Sequence, residues 1–201
     1  CGDWKQLGAT PLTDVAFGDR EGGAVAAVEL SRADSSTAWA ATTTGRLFIS
    51  NNVDAADPAA VTWRRLDTDA TNDPNRFVSS IYVDPVHPQT AWVSYSGYTA
   101  TTPTTPGHVF RVHDNGTTAT WTNLSSNLAD LPITDLVRDN LTGDLYASSD
   151  FGVVRRPAGS GSWQLAAAGM PKVEVAGLTI LPHKRILYAA SHGLSAWRLN
   201  L

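Results

Sequence analysis

The side chains able to do chemistry are few and scattered in this sequence. Three acids, Asp135, Asp150 and Glu174, each stand within or beside a short apolar run. Two carboxyl groups on opposite sides of a glycosidic bond are the usual equipment for its hydrolysis, and an acid among apolar groups gains the raised pKa that proton donation needs. A second group is rich in hydroxyls and falls at turns between strand-like runs: Thr43, Thr44, Ser96, Tyr98, Asp150 and His192, with Asp14 ahead of the first run. Such side chains suit a polyhydroxylated ligand. The five histidines are dispersed, and the pairs His108/His113 and His183/His192 read as ordinary surface residues rather than metal ligands. Gly-x-Gly-x-x-Gly, P-loop, His-Glu-x-x-His and Gly-x-Ser-x-Gly motifs are all missing. No cofactor and no metal are therefore expected.

Bulk properties narrow the function classes. The chain has 201 residues, enough for one domain or a large piece of one. Fifteen basic and nineteen acidic residues leave a net charge of −4, a poor match to nucleic acid or an anionic membrane surface. A hydrophobic content of 42% excludes a disordered chain. No apolar run approaches the roughly 18 residues of a spanning helix. Cys1 is the single cysteine, so neither an internal disulfide nor a cysteine zinc site can form. It reads as a cleavage boundary or, alternatively, a lipid-anchored bacterial N-terminus. The triplets at Asn115, Asn123 and Asn140 fit the glycosylation sequon, which matters only in a eukaryotic secretory host.

The elements that must position these residues are strands. Apolar alternating runs (Val25–Leu30, Val78–Val83, Ile133–Val137, Val175–Leu181) are each followed by a small–aromatic–small run around Trp39, Trp92, Tyr146 and Tyr188. A third short strand follows, and a fourth carries Trp63, Trp121 or Trp163. Four-stranded units repeating every ~40–60 residues predict an all-β chain, a β-propeller of up-and-down blades. Small residues let twisted sheets approach, and the large aromatic fills the widening gap away from the axis. The repeats span about 25–67, 77–125, 132–167 and 174–201. The last unit ends after three strands, and residues 3–8 share the Trp-x-x-Leu pattern of Trp63 and Trp121, so they are expected to form an outer strand completing a blade. The chain is then either a four-bladed ring or, the favoured reading, the C-terminal repeats of a larger propeller. In the second case a companion chain or self-association would cover exposed blade faces.

One hairpin resembles a known family. Asp114, Gly116 and Trp121 stand in a stretched form of the Ser-x-Asp-x-Gly-x-x-Trp box of the BNR/Asp-box repeat propellers, which include sialidase-, sortilin- and xyloglucanase-like members. The box is eroded near Ser50-Asn51-Asn52 and at Ala158 and Ser160. The segment Asp84-Pro85-Val86-His87-Pro88 resembles the linkers of such repeats. The resemblance implies a structural role for Asp114, Gly116 and Trp121. It also implies a bacterial secreted protein, extracellular or on the cell surface.

In a propeller the loops before the first strand and between the second and third strands form the ligand face. That geometry nominates Thr43, Ser96, Tyr98, Asp150 and His192 as ligand-binding residues, with the Thr/Pro-rich insertion 97–107 beside them. Asp135, Asp150 and Glu174 are the weak catalytic candidates. Sialidase chemistry would need clustered arginines, but Arg155-Arg156 and Arg64-Arg65 fall on outer strands. The expected function is a binding or scaffolding module for a glycan or protein, without nucleic acid or transmembrane segment. The alternative is the C-terminal part of a secreted glycoside hydrolase.

Overall fold

The computed structural model describes residues 2–18 and 21–201; Cys1, read above as a boundary or anchor, lies outside them. The described residues contain fifteen strands, six single-turn 3-10 helices and no α-helix. The strands form four antiparallel up-and-down sheets, the blades of a β-propeller. Blade 1 is β1 (Val25–Leu30), β2 (Ala38–Thr42), β3 (Leu47–Ser50) and β4 (Arg64–Arg65). Blade 2 is β5 (Val78–Val83), β6 (Thr90–Tyr95), β7 (Val109–Asp114) and β8 (Ala119–Asn123). Blade 3 is β9 (Ile133–Arg138), β10 (Leu145–Ser149), β11 (Gly152–Arg156) and β12 (Gln164–Leu165). Blade 4 has three strands, β13 (Val175–Leu181), β14 (Ile186–Ser191) and β15 (Ala196–Asn200).

The first strand of each blade lines the axis, and β1, β5, β9 and β13 pack side by side in that order. Every residue of β2, β6 and β10 is buried, because these strands are covered on both faces. In blades 1 to 3 the aromatic of the second strand points toward the next blade. Trp39 joins the core shared with Val78, Ile81 and Val93, Trp92 joins that around Leu136 and Leu145, and Tyr146 joins that around Leu178 and Leu187. Tyr188 holds the same position in blade 4 and is 39% exposed.

Each inner strand begins with a bulge after its first residue, at Val25, Val78, Ile133 and Val175. A bulge twists its strand and re-aims one side chain. In blades 2 and 3 that side chain is a hydroxyl that donates to the following blade. Ser79 donates to the Ile133 carbonyl at 2.6 Å, and Thr134 donates to the Val175 carbonyl. Ala26 and Ala176 stand at these positions in blades 1 and 4.

A ladder of tryptophans stitches the outer strands. Trp63 donates its indole N–H to the Leu7 carbonyl at 3.0 Å, Trp121 to Leu66 at 3.2 Å and Trp163 to Leu124 at 2.8 Å. Each acceptor in blades 1 and 2 lies three residues beyond the outer-strand tryptophan of the preceding blade, and Leu7 has that spacing from Trp4. Residues 3–7, however, lie in no sheet here, and Trp4 is fully exposed. The segment is held at Leu7 by blade 1, whereas the blade that lacks a fourth strand is at the opposite end of the series.

Candidate functional site

Four of the nominated residues occupy one structural position. The last residues of the second strands, Thr42, Tyr95, Ser149 and Ser191, pair with the first residues of the inner strands. Thr43, Ser96, Asp150 and His192 come directly after them. The amides of Thr43, Ser96 and His192 donate to the carbonyls of Ala24, Phe77 and Glu174, at 2.8, 2.9 and 2.8 Å. These residues therefore stand at the same level around one rim.

Their side chains differ in what they do. The Thr43 hydroxyl accepts the Ala24 amide at 3.0 Å, and Thr44 lies 3.1 Å from the Thr42 hydroxyl, so both are engaged locally. Asp14 caps the short helix Val15–Phe17 by accepting the Ala16 amide. The Tyr98 hydroxyl donates to Asp150 at 3.2 Å, which joins the loops of blades 2 and 3. The carboxylate raises the Tyr98 pKa by stabilising its neutral, donating form. Tyr98 is 50% exposed, and Phe151, which follows Asp150 in the chain, is 59% exposed. On blade 4, His192 meets Glu174 at 3.0 Å, and the acid raises the imidazole pKa.

The insertion 97–107 is anchored at several points. Asp130 accepts the Thr99 amide at 2.7 Å, which holds its carboxyl below the usual carboxylate range. Asp130 also meets His108 Nε2 at 3.1 Å, while His108 Nδ1 faces the Tyr95 carbonyl at 3.2 Å. His108 is completely buried, not a surface residue as its isolation in the sequence suggested. Burial lowers its pKa. Arg76 reaches the loop through Thr102 at 2.8 Å and the Gly107 carbonyl. Asp130 and Arg76 escaped the sequence reading, and His108 was read only as a surface residue, because their partners are 22 to 31 residues away in the sequence. The signal that could have found them is the length of the insertion, which needs anchors.

Asp135 stands apart from this rim, in a cavity of about 490 Å³ along the axis with a mixed polar and apolar lining. Its two carboxylate oxygens accept the Leu136 and Leu178 amides, both at 2.7 Å, so it bridges blades 3 and 4. Glu29 and Arg32 face the same cavity from blade 1. Burial raises the Glu29 pKa; Arg32 opposes the rise and Asp135 adds to it. At the outer turn of blade 2, Asp114 accepts the Gly116 amide at 2.8 Å and pairs with Arg64 of blade 1. Gly116 has a φ of +89°, which only glycine adopts without strain. Among the described residues no cluster of three metal-ligating side chains occurs, and no helix is long and apolar enough to cross a membrane.

No protein-family model matches the chain, and no match was found among curated proteins. Solved structures do match. The extracellular domain of the hybrid two component system BT3049 from B. thetaiotaomicron aligns with a TM-score of 0.61 at 10% identity, over 88% of this chain and 20% of that one. An ancestral GH74 enzyme aligns with a TM-score of 0.56 at 20% identity, over 85% and 23%. The β-propeller domain of Myceliophteria thermophila Swd1 aligns with a TM-score of 0.62 at 15% identity, over 88% and 50%. The chain thus spans between a fifth and a half of these structures. At such identities the likeness is one of fold: this chain is similar to propellers of diverse roles.

Proposed function

We propose that the chain is a secreted or cell-surface propeller module that binds a glycan through the rim formed by Tyr98, Asp150, Phe151 and His192. One observation carries this reading: the Tyr98–Asp150 contact, which fixes an exposed aromatic ring beside a carboxylate across two blades. An aromatic face with fixed polar groups at its edge suits a sugar, whose ring has apolar C–H faces and equatorial hydroxyls. Thr43 and Ser96 continue the polar rim. Membership of the BNR/Asp-box superfamily, with Asp114, Gly116 and Trp121 as its hairpin, belongs to this proposal. The likeness to the extracellular domain of BT3049 supports the location.

Hydrolysis is the weaker reading. Asp135 has both oxygens committed to backbone amides, and Asp150 and Glu174 are engaged with Tyr98 and His192. The test is calorimetric titration with soluble xyloglucan and with neutral and sialylated oligosaccharides. Tyr98→Ala should weaken binding by at least fivefold while leaving thermal stability unchanged, because the ring is half exposed. No binding to any glycan in the set would end the proposal. Release of reducing ends that stops on combined Asp150→Ala and Glu174→Ala substitution would replace it with the hydrolase reading.

A further inference from the structure

The tryptophan ladder has a fourth place that none of the described residues fills. Blades 1 to 3 share a second regularity besides the indole bonds. The residue three positions after the outer-strand tryptophan donates its amide to the third strand: Leu66 to the Leu47 carbonyl at 2.7 Å, Leu124 to Val109 at 2.8 Å and Ala166 to Val153 at 3.0 Å. The registers of the third strands align these acceptors with Ala196 in β15. The same alignment puts Leu199 opposite the missing tryptophan, as Val112 stands opposite Trp121.

Three independent features agree at this place. Ser191 donates its amide to Ser195 and Leu201 donates to Arg185, so the alternation of the ladder turns the amides and carbonyls of Ala196, Arg198 and Asn200 to the free edge. An apolar groove of about 340 Å³ runs beside that edge, lined by Leu165, Ala166, Leu187, Trp197 and Leu199. The Ala166 carbonyl occupies the ladder position at which Leu7, Leu66 and Leu124 each accept an indole N–H.

The matching piece is at the other end of the molecule. Trp4-Lys5-Gln6-Leu7 has the Trp-x-x-Leu spacing, lies in no sheet and exposes its indole entirely. We infer that the 3–7 segment of one copy adds as the fourth strand of blade 4 in a second copy. Trp4 then sits opposite Leu199 with its indole N–H on the Ala166 carbonyl, and the Leu7 amide donates to the Ala196 carbonyl. This is strand addition to an open edge, with main-chain bonds for affinity and one aromatic pocket for specificity. Because donor and acceptor surfaces differ, the contact is head-to-tail, and two such joints close a dimer.

The experiment is the solution mass of the 201-residue chain across a concentration series, by light scattering and sedimentation with reductant present to keep Cys1 reduced. The expected result is a concentration-dependent rise from 21.4 kDa toward twice that mass. Trp4→Ala, at a fully exposed site, and Arg198→Pro, at an edge-facing amide, should each leave a monomer with unchanged circular dichroism. Leu199→Glu is a second groove variant should the proline disturb β15. Mixing the Trp4 and groove variants restores one intact joint per pair, so a 1:1 dimer should reappear only in the mixture. A wild-type chain that stays monomeric at every concentration overturns the inference. So does a dimer that survives both substitutions, or a mixture that does not complement.

Discussion

Blades 1 and 4 have related sequences but opposite surroundings. The outward face of blade 1 is covered by the chain's own residues 8–18. Phe17 stacks edge-on against Phe48 at 5.0 Å, Arg46 donates to the Leu12 and Asp14 carbonyls, and Arg65 donates to the Phe17 carbonyl. As a result β2 and β3 are buried along their whole length. Blade 4 has no such cover, and β14 alternates between buried and accessible positions. The joints behind these blades differ as well. Blades 1 and 2 share a largely apolar core, centred on Trp39, Leu47, Val93 and Phe110. Blades 3 and 4 share a smaller apolar core, reinforced by polar bridges from Asp135, Thr134 and the Arg185–Asp139 pair. One repeat thus supports two kinds of joint. Both joints carry polar bridges, since between blades 1 and 2 Arg64 pairs with Asp114, Asp69 accepts the Ala119 amide and Trp39 donates to the Pro88 carbonyl; what separates them is the extent of apolar burial.

The sharpest way to break this comparison is to truncate the equivalent aromatics. Trp39 is completely buried and also donates its indole N–H to Pro88 at 2.8 Å. Trp39→Ala should cost about 3–5 kcal/mol, the usual cost of deleting a large aromatic from a core. Tyr188→Ala, at the same position in the last blade, should cost under about 1 kcal/mol because much of its surface is already in water. Chemical denaturation of the two variants at protein concentrations that keep the chain monomeric measures both. Equal costs would show that blade 4 is covered in solution.

The second test addresses the polar joint. Arg185 grips both oxygens of Asp139, each at 2.6 Å, and Asp139 also accepts the Thr142 hydroxyl and Leu141 amide. The Asp139 side chain is 3% exposed, and these donors lower its pKa to about 2. A carboxyl whose pKa falls on folding stabilises the native state above its unfolded value of 3.8 and loses that contribution as the pH drops through about 2. The shift corresponds to about 2 kcal/mol. Asp139→Asn should therefore destabilise the chain by about that amount at neutral pH. It should also flatten the acid limb between roughly pH 4 and 2. Thermal melts across that range read both effects, and an unchanged acid limb would remove Asp139 from the joint.

Much of the architecture was legible because propeller strands advertise themselves twice, by alternation and by a recurring aromatic. The inner-strand runs at Val25–Leu30, Val78–Val83 and Val175–Leu181 coincide with β1, β5 and β13. The outer strands were less legible: β4 and β12 pair over only two residues, because the tryptophan just before each makes the inter-blade contact. At the rim, turn position alone picks out Thr43, Ser96, Asp150 and His192, since each follows a second strand. Position could not tell which of them face a ligand. That depends on contacts between blades, such as Tyr98 with Asp150, separated by 52 residues. Asp135 illustrates the same limit. Its carboxylate reads as chemistry in one dimension, but in three it accepts an amide 43 residues away. The pairing of Asp139 with Arg185, 46 residues apart, left no trace in the local pattern either.

The smallest expected effect isolates one hydroxyl in the joint of blades 3 and 4. The Thr134 hydroxyl lies 2.8 Å from that of Ser148 and donates to the Val175 carbonyl, where β13 enters its bulge. Thr134→Val keeps the β-branched shape and removes only the polar contact, so it should cost about 1 kcal/mol. The corresponding joint of blades 1 and 2 has Ala26 at this position and stands without a hydroxyl. If the less buried joint of blades 3 and 4 opens by itself, the loss at Thr134 should appear as faster hydrogen exchange in β13 and β14, with β1 and β2 unchanged. Uniform acceleration across all four blades would mean that the molecule opens as one cooperative unit. The contrast between its ends would then concern exposure and not local stability.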